Sequence, residues 1–550
     1  MARILPTFAS LSAAALATLA LPHAAIAQEA PEGAADGEQN RVEVTPYIEA
    51  AQVLLAELSP GSDVVTYSRI AAGVDAQVTG RNSAAALSLR YERRIGWEDD
   101  APDGDIISGI ARASVALVPR TLTLEAGGLA TRSKVEGNGA SILSPVIDDP
   151  GESNIYAVYA GPSLTTQLGD LSVEGHYRIG YARLEEPDAV VTAPGAEPVD
   201  IFDDSVIHNA QLRVGVRPDQ VLPVGVGVGG GWYQEEISNL DQRVRDRWVR
   251  GDVTVPLSPN LAVVGGVGYE DVEISSRDAL RDEFDVPVIG EDGRYVTDPN
   301  SPRILAYDVE GLIWDVGVLW RPSRRTSLEA HVARRYDSIG YYGTLSYQPN
   351  ARSSFNVSVY DNVAGFGGQL SNALAALPTD FETSRNPLSG DIGNCVVSLE
   401  GGNCLGGVLG AVRSSTFRAR GVTATYAAQF GRWKAGVGAG YDRRKYIAAE
   451  GTVLAASNGI TDENIWVAAY LNGQLDERSG ISSGLYATWF DSGFDLAGST
   501  TGYGASAAYY RNLTSKLAAT AAVSVDGLSS EEDIEDIWNA AALLGLRYSF

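Results

Sequence analysis

The chain has 550 residues, of which 45% are hydrophobic, 20% are charged and 60 are glycine, and its formal net charge is −27 at pH 7. Such a negative chain is a poor partner for nucleic acid, which is itself a polyanion. No stretch after residue 27 has about 20 consecutive apolar residues, so the sequence predicts no transmembrane helix there. Glycine, alanine, valine, tyrosine and threonine recur throughout, which favours one very large β unit over several helical domains.

Residues 1–27 predict export from the cytoplasm. They contain one basic residue, Arg3, then an Ala- and Leu-rich run, and they end in Ala25-Ile26-Ala27 before Gln28. This is the pattern of a cleaved secretory signal peptide. Residues 28–41 are polar, acidic and rich in alanine and glycine, so we expect a disordered lead-in before a folded unit spanning 42–550.

From residue 42 to the C-terminus, segments of alternating apolar and polar residues follow one another. Alternation with period two is typical of a β-strand with two unlike faces. We count about 22 segments, within a range of roughly 20 to 24, which suits an antiparallel up-and-down transmembrane barrel. In chain order they are 42–56, 67–79, 84–97, 106–118, 122–135, 155–168, 171–184, 206–216, 222–235, 243–257, 261–274, 309–320, 327–339, 342–347, 355–360, 416–430, 433–447, 464–475, 481–490, 502–510, 517–525 and 537–550.

The connections between these segments alternate in length. Those after even-numbered segments are short and turn-like, whereas many after odd-numbered segments are long. The long connections include 136–154, 185–205, 275–308 and 361–412. The short ones include 119–120, 169–170 and 431–432. One connection after an odd-numbered segment, 340–341, is also short. Outer-membrane barrels have short periplasmic turns and long external loops. The pattern therefore predicts a barrel in the outer membrane of a Gram-negative bacterium, with both chain ends in the periplasm.

The apolar face of several segments ends in aromatic residues. In the last segment, every second residue from Phe550 back to Ala540 is apolar. Trp314 and Trp320 share one face and are about 20 Å apart at the rise of a strand, nearly the height of the apolar band between two aromatic girdles. We therefore expect apolar faces to contact lipid and polar faces to line a wet lumen. The predicted lipid-facing aromatic residues are Trp314, Trp320, Trp433, Tyr441, Tyr548 and Phe550.

Charged residues on the polar faces are candidates for the lumen wall. Basic clusters recur at segment ends, as in 90–94 and 443–446, with acidic residues beside them. They could form a ladder of charges that selects solutes by a transverse field, or cross-strand ion pairs that only fill the lumen. The candidate lumen residues are Arg90, Glu92, Arg94, Glu174, His176, Arg178, Asp315, Arg335 and Asp442.

The connection 361–412 is the most distinctive insertion. Residues 369–377 have apolar positions at i, i+3, i+4 and i+7, which predicts a short helix. Cys395 and Cys404 follow, and in an exported chain we expect them to form a local disulfide. Long loops with structure of their own are usually functional. Our hypothesis is that this loop folds over or into the mouth and constricts the pore; external decoration is the alternative.

The sequence predicts no enzyme, cofactor site or metal site. No nucleophile elbow, zinc-protease, phosphate-loop or EF-hand motif occurs, and two cysteines without a nearby histidine do not make a zinc site. His176 alternates with Glu174 and Arg178, and we interpret it as a polar lumen residue rather than a catalytic base. Acidic pairs in the loops are interpreted as a solvated surface, with bridging of divalent cations at a charged outer leaflet as the alternative.

Three stretches carry a resemblance to known proteins, namely 42–50, 320–329 and 543–550. Through them the chain resembles a family of uncharacterised outer-membrane β-barrel proteins from alphaproteobacteria. It is more loosely similar to barrels associated with exopolysaccharide and PEP-CTERM sorting systems. These stretches are signatures of a fold, so the resemblance implies an outer-membrane barrel and no particular site.

These observations predict a monomeric or weakly oligomeric barrel that forms a polar channel for solutes or for an exported polymer. The alternative is a non-conducting surface or adhesion barrel that displays acidic external loops. The expected partners are outer-membrane lipid, the barrel-assembly machinery through the C-terminal strand, and a small solute or polysaccharide.

Overall fold

The computed structural model describes residues 41–98, 101–135, 140–143, 152–185, 201–381, 385–393, 395–398, 402–494, 498–531 and 536–550. The predicted signal peptide and lead-in lie outside these residues, except for Arg41, which begins the first strand. In the part of the chain that is described, no helix has the length and apolar character needed to cross a bilayer.

The described elements are almost all strands. In chain order they are β1 (Arg41–Ser59), β2 (Val64–Thr79), β3 (Ser83–Gly96), β4 (Gly104–Val118), β5 (Leu122–Val135), β6 (Ser141–Leu143), β7 (Glu152–Leu168), β8 (Leu171–Glu185), β9 (Asp204–Val216), β10 (Gly225–Ile237), β11 (Gln242–Ser258), β12 (Leu261–Ser276), β13 (Ile304–Ser323), β14 (Thr326–Arg335), β15 (Ser338–Asn350), β16 (Ser353–Ala364), β17 (Cys395–Val397), β18 (Gly402–Cys404), β19 (Phe417–Phe430), β20 (Trp433–Tyr446), β21 (Thr461–Gln474), β22 (Ser479–Asp491), β23 (Ser499–Asn512), β24 (Leu517–Ser530) and β25 (Ile537–Ser549). One α-helix, α1, spans Phe366–Ala375, and short 3₁₀ helices span Asn239–Asp241, Val408–Gly410 and Val453–Ser457.

Within the described residues, the main sheet has 23 strands. One of them, β6, pairs with the end of β5 and does not extend the ring. The other 22 strands form a closed antiparallel ring, because β1 pairs both with β2 and with β25. The predicted all-β up-and-down barrel of about 22 strands is therefore confirmed.

Turns and loops are sorted between the two ends of this ring. The connections after β7, β11, β13, β15 and β19 are two-residue turns at one end. The long connections, including 277–303 and 365–416, lie at the other end. Arg41 and Phe550 lie at the short-turn end, where Phe550 N donates to Pro46 O at 3.1 Å. A ring closed in this way leaves no unpaired sheet edge.

One predicted turn is displaced. The join expected at 340–341 lies inside β15, and the chain turns instead at Tyr336 and Asp337, whose φ angles are 54° and 53°. Two successive residues with positive φ make the tight turn that matches the twist of the flanking strands. Gly340 misled the prediction because glycine often marks a turn. In the structure it leaves room for Asp361, since a Cβ at Gly340 would lie 2.1 Å from Asp361 Oδ2.

The barrel turns its apolar faces outward. On β11, Val249, Val253 and Leu257 are 55%, 43% and 61% exposed, whereas the inward Asp246 and Asp252 are 7% and 5% exposed. A soluble barrel would show the reverse arrangement. An outward apolar belt around a polar interior is the surface of a barrel that spans a membrane.

The belt ends abruptly toward the long connections. Beyond Val249, the outward face of β11 carries Arg247, Arg245 and Arg243. Each of these arginines forms an ion pair with a carboxylate of a neighbouring strand. Paired charges of this kind belong in the headgroup region, so this row marks one edge of the membrane-spanning height.

Many glycines of the wall lie directly opposite an aromatic residue on the next strand. In each case a Cβ on the glycine would lie within 2.6 Å of the ring. The pairs are Tyr47–Gly73, Tyr159–Gly127, Trp248–Gly231, Tyr360–Gly421, Trp433–Gly473, Trp466–Gly440, Tyr470–Gly436, Tyr486–Gly504, Tyr503–Gly527 and Tyr510–Gly480. The rings therefore lie flat across the wall, and the glycines opposite them cannot carry a side chain without displacing them.

Candidate functional site

We call the connection between β16 and β19, residues 365–416, the internal loop, and its described residues enter the lumen. Its helix α1 contacts β5, β7, β8 and β9. Phe366, Leu370 and Leu374 are at most 1% exposed and share an apolar cluster with Ile155 and Leu184 of the wall. The wet lumen expected from the strand faces is therefore only partly found, because inward apolar residues near the long connections are covered by this loop.

Glu235 on β10 holds the N-terminal end of α1. Its carboxylate is buried, with 0% exposure. Gly365 N donates to Oε2 at 2.6 Å and Gly368 N donates to Oε1 at 2.9 Å. The hydroxyls of Ser205 and Tyr233 donate to Oε1 and Oε2 at 3.1 and 2.6 Å. A carboxylate at this place accepts from amides that have no partner within the helix, so Glu235 joins the internal loop to the wall.

Arginine side chains of the wall bind backbone carbonyl groups of the internal loop. These bonds join Arg69 to Pro387 O at 3.1 Å, Arg112 to Leu377 O at 3.2 Å, and Arg444 to Ala411 O and Gly407 O at 2.6 and 2.7 Å. Their donors stand on β2, β4 and β20. The loop is thus attached at several places around the ring.

Residues 385–391 add buried charges to this attachment. Arg132 Nη2 lies 2.6 Å from Asp391 Oδ2, and both side chains are at most 2% exposed. Arg385 donates to the hydroxyls of Ser88 and Ser108 at 3.0 and 2.8 Å. Burial lowers the pKa of Arg385 below its ordinary value. Buried charges are tolerated where they are paired or hydrogen-bonded, so these contacts specify one docked position.

Cys395 and Cys404 form a disulfide between β17 and β18. The sulfur atoms lie over Gly438 of β20, where a Cβ would be 2.3 Å from Cys404 Sγ. Trp466 of β21 is 1% exposed and packs in the same cluster. The disulfide hairpin is therefore docked on the wall, and glycine at 438 makes room for it.

Nearer the short turns, a row of alternating charges crosses β9, β11, β13 and β14, and we call it the charge row. It consists of Arg213–Asp252 at 2.6 Å, Asp252–Arg250 at 3.3 Å, Arg250–Asp315 at 2.5 Å, Asp315–His331 at 3.0 Å and His331–Glu329 at 3.1 Å. Opposite charges that alternate along a wall create a transverse field in the space beside it.

Two cavities adjoin the charge row. Their volumes are about 550 and 350 Å³. Gln211, Trp248 and Arg250 line both of them. The charge row therefore faces open space and is not wholly packed against other side chains.

The candidate lumen residues on β3 lie in a compact network. Arg90 lies 2.9 Å from Glu92 and 2.9 Å from Glu49, and Arg94 lies 3.1 Å from Glu92. All three candidates are at most 4% exposed. A Cβ at Gly390 of the internal loop would be 2.9 Å from Arg90 Nε, so the loop covers this network.

The candidates on β8 do not form one group. His176 Nε2 lies 3.3 Å from Asn209 Oδ1. Arg178 Nη2 lies 3.6 Å from Glu125 Oε2. Glu174 and His176 line the smaller of the two cavities, which places them beside the charge row.

The remaining candidates belong to separate networks. Asp315 is part of the charge row. Arg335 lies 2.9 Å from Asp246 and 3.0 Å from Glu270. Asp442 accepts from Arg444 Nε at 2.7 Å and is joined through it to the internal loop. The structure therefore brings the predicted residues to the interior but divides them among several groups.

The predicted lipid-facing aromatic residues lie on outward faces. Trp314, Trp320, Tyr548 and Phe550 are 39%, 41%, 37% and 64% exposed. Trp433 and Tyr441 are half-buried on the outward face of β20, and Trp433 lies across Gly473 of β21.

Sequence reasoning missed most of the residues that hold the internal loop. The missed residues are Glu49, Arg69, Arg112, Arg132, Glu235, Arg385 and Asp391, together with Arg213, Arg250, Asp252 and His331 of the charge row. Alternation along a strand could have placed many of them on the inward face, but it gives no information about their partners. No group of three or more His, Cys, Asp or Glu side chains in the described part of the chain is arranged to hold a metal ion.

Comparisons with known proteins give only distant matches. No protein-family model matches the chain, and no curated protein matches it, so neither family resemblance seen in the sequence is confirmed. Among solved structures, the ferric-catecholate import receptor Fiu of E. coli K12 matches 91% of this chain and 81% of its own, with 10% identity and a TM-score of 0.41. The FrpB iron transporter of Neisseria meningitidis matches 92% of this chain and 81% of its own, with 11% identity and a TM-score of 0.41. The alcaligin outer-membrane receptor FauA of Bordetella pertussis matches 92% and 76%, with 12% identity and a TM-score of 0.38.

Proposed function

We propose that the chain is an outer-membrane barrel that passes small polar solutes, and that the internal loop closes its lumen. The observation that carries this proposal is the charge row, which faces open cavities behind an outward apolar belt. Fixed charges along a water-filled passage select solutes by charge. An adhesion barrel needs only its outer rim and has no use for such a row.

We restrict the proposal to small solutes because of the space beside the charge row. Cavities of about 550 and 350 Å³ have the size of sites that hold one small molecule. A polymer would need a continuous passage of much greater volume.

Replacing the internal loop by a tight turn tests the proposal. Ala364 and Phe417 are directly paired across β16 and β19, so a two-residue Asn-Gly turn can join them. Planar-bilayer recording should then show a larger single-channel conductance than that of the intact chain. The matched control replaces 277–303, which joins the paired residues Ser276 and Ile304, and it should leave conductance unchanged.

Two outcomes would reject the proposal. A folded barrel without the internal loop that does not conduct would favour the display of external loops. An unchanged conductance would reject the closing role of the loop. If the replacement variant does not fold, Arg444→Met serves instead. It removes the hydrogen bonds to the carbonyl groups of Ala411 and Gly407 and keeps the apolar contacts between the internal loop and the wall. It should give more frequent channel openings.

We also propose that the short turns and both chain ends face the periplasm. The support is the sorting of turns and loops between the two ends of the ring. Thr514→Cys in a short turn and Glu291→Cys in 277–303 would carry single labelling sites. A membrane-impermeant maleimide applied to intact cells should label the second variant and not the first, and the opposite result would invert the orientation.

A further inference from the structure

A small cavity lies between the internal loop and the wall formed by β20 to β24. Its volume is about 70 Å³. The loop contributes Arg385 to Pro387 and Cys395 to its lining. The wall contributes mainly small residues, namely Gly436, Ala468, Ser482, Gly484, Gly504 and Ser506, and we call this the small-residue wall. Space remains here because the wall has few side chains to fill it.

Asp526 of β24 also lines this cavity, and among the described residues no cationic side chain forms an ion pair with it. It is 2% exposed. The hydroxyl of Tyr486 donates to Oδ1 at 3.2 Å. Ser524 of the same strand also interacts with this carboxyl group, but Oδ2 has no hydrogen bond of ordinary geometry among the described residues. Arg385, the cation in the same lining, donates instead to Ser88 and Ser108. A buried carboxylate is costly unless a cation lies beside it.

We propose that Asp526 binds a small organic ammonium ion in this cavity. The ammonium group binds the Asp526 carboxylate beside the rings of Tyr470 and Tyr486, and a short alkyl group fills the rest of the cavity. This inference names a solute class for the proposed passage and rests on that proposed function for its biological role.

The surroundings favour an organic monovalent cation over a divalent metal. One carboxylate balances one positive charge, whereas Ca²⁺ takes six to eight oxygen ligands, often from several carboxylates. No cluster of three metal-binding side chains occurs in the described ranges. Tyr470 and Tyr486 lie flat across Gly436 and Gly504, where a Cβ would be 2.3 and 2.4 Å from their Cε1 atoms.

The rings of Tyr470 and Tyr486 both line the cavity, and aromatic faces attract ammonium groups. The size of the cavity agrees with this class. One water needs roughly 10–15 Å³ of such volume, so about 70 Å³ has room for a few non-hydrogen atoms. That is enough for a short-chain amine and too little for a hydrated divalent ion with its water shell.

Isothermal titration calorimetry of the full chain in detergent with propylammonium chloride tests the site. We expect saturable binding at one site. Asp526→Asn keeps the shape of the side chain and an oxygen for the bond from Tyr486, and it should weaken binding about 10- to 100-fold. Asp308→Asn removes the same charge from an exposed position on β13 and should bind like the native chain. The neutral 1-propanol should not bind.

Three results would overturn the inference. The first is the absence of saturable propylammonium binding, and the second is equal binding by the native chain and Asp526→Asn. The third is binding of K⁺ as tight as that of propylammonium, because this would indicate a site for inorganic cations. Should Asp526→Asn not fold, Gly504→Ala gives a second test. Its Cβ would lie 2.4 Å from both Asp526 Oδ1 and Tyr486 Cε1, so it should abolish binding without a change of charge.

Binding in detergent does not depend on conduction. Saturable binding to a barrel that fails to conduct would therefore reject the proposed passage and keep the ammonium site. Conduction without propylammonium binding would reject the ammonium site and keep the proposed passage.

Discussion

Replacing Glu235 by glutamine should loosen the N-terminal end of α1 without changing the barrel. The two carboxylate oxygens accept from four donors, and two of these are the backbone amides of Gly365 and Gly368. A glutamine keeps one oxygen and presents a donor group at the other position. The hydroxyls of Ser205 and Tyr233 can rotate to accept from that donor, but a backbone amide cannot. One buried amide therefore loses its acceptor.

The size of the effect follows from that single orphaned amide. Leaving a buried donor unsatisfied costs about 1–3 kcal/mol. At roughly 1.4 kcal/mol for each factor of ten, local opening of the helix end becomes about 5- to 150-fold more frequent. The conductance should stay the same, because the apolar contacts of α1 hold the rest of the internal loop in place.

Amide hydrogen exchange, followed by mass spectrometry on peptides covering 365–375, measures this opening. Glu236→Gln is the matched control, since the adjacent side chain is 48% exposed and points away from the lumen. Exchange should rise in Glu235→Gln and stay at the native rate in Glu236→Gln. Equal exchange in the native chain and Glu235→Gln would refute the capping role that we assign to Glu235.

Three further changes have definite expected outcomes. Gly440→Ala would place a Cβ 2.6 Å from Trp466 Cζ2 and should lower stability by about 1–3 kcal/mol in denaturant unfolding, whereas Gly265→Ala, with its nearest atom 4.0 Å away, should have little effect. Reduction of the loop disulfide with dithiothreitol should increase proteolysis of the internal loop, and the same cleavage with and without reductant would contradict its role in docking. Hydrogen bonds from a hydroxyl and from backbone amides lower the pKa of Asp476 in the turn after β21, so its contribution to stability is present at neutral pH and disappears as the pH falls below about 4. Asp476→Asn should therefore be less stable than the native chain at pH 7, with a difference that vanishes in acid.

The architecture could be predicted from sequence because each strand of a membrane barrel separates two different surroundings. Leu543 and Leu544 are adjacent in the chain, yet they are 3% and 71% exposed. The same alternation recurs in strand after strand, so a local pattern carries information about the whole ring. The lengths of the connections supply independent information about which end of the ring each one occupies.

The site could not be predicted in the same way, because its contacts join distant parts of the chain. Arg69 and Leu388 are separated by 319 positions, and Glu235 and Gly365 by 130. Period-two alternation predicts that Glu235 points inward, but it says nothing about the helix whose amides it binds. The expectation of a uniformly wet lumen was incomplete for a related reason. Inward apolar residues such as Ile155 are explained only by a loop that covers them.

The apolar cover under the internal loop also limits how the barrel can open. Ile110, Leu129, Ile155 and Leu184 are inward residues of the wall that are at most 4% exposed. Exposing four such side chains to water costs roughly 6–12 kcal/mol, which is comparable with the stability of a whole domain. Ejection of the complete loop is therefore too rare to support conduction.

The penalty is smaller at the small-residue wall, where Trp466 is the large apolar side chain that lies beneath the loop. Gly436, Gly484 and Gly504 have no side chain to expose when the loop moves away from them. We therefore expect the passage to open by a local displacement of the internal loop beside β20 to β24, with α1 remaining docked. A crosslink that fixes α1 to β8 should then leave conduction intact, whereas a crosslink between the loop and β22 should abolish it. Loss of conduction in the first case would show that the helix itself must leave.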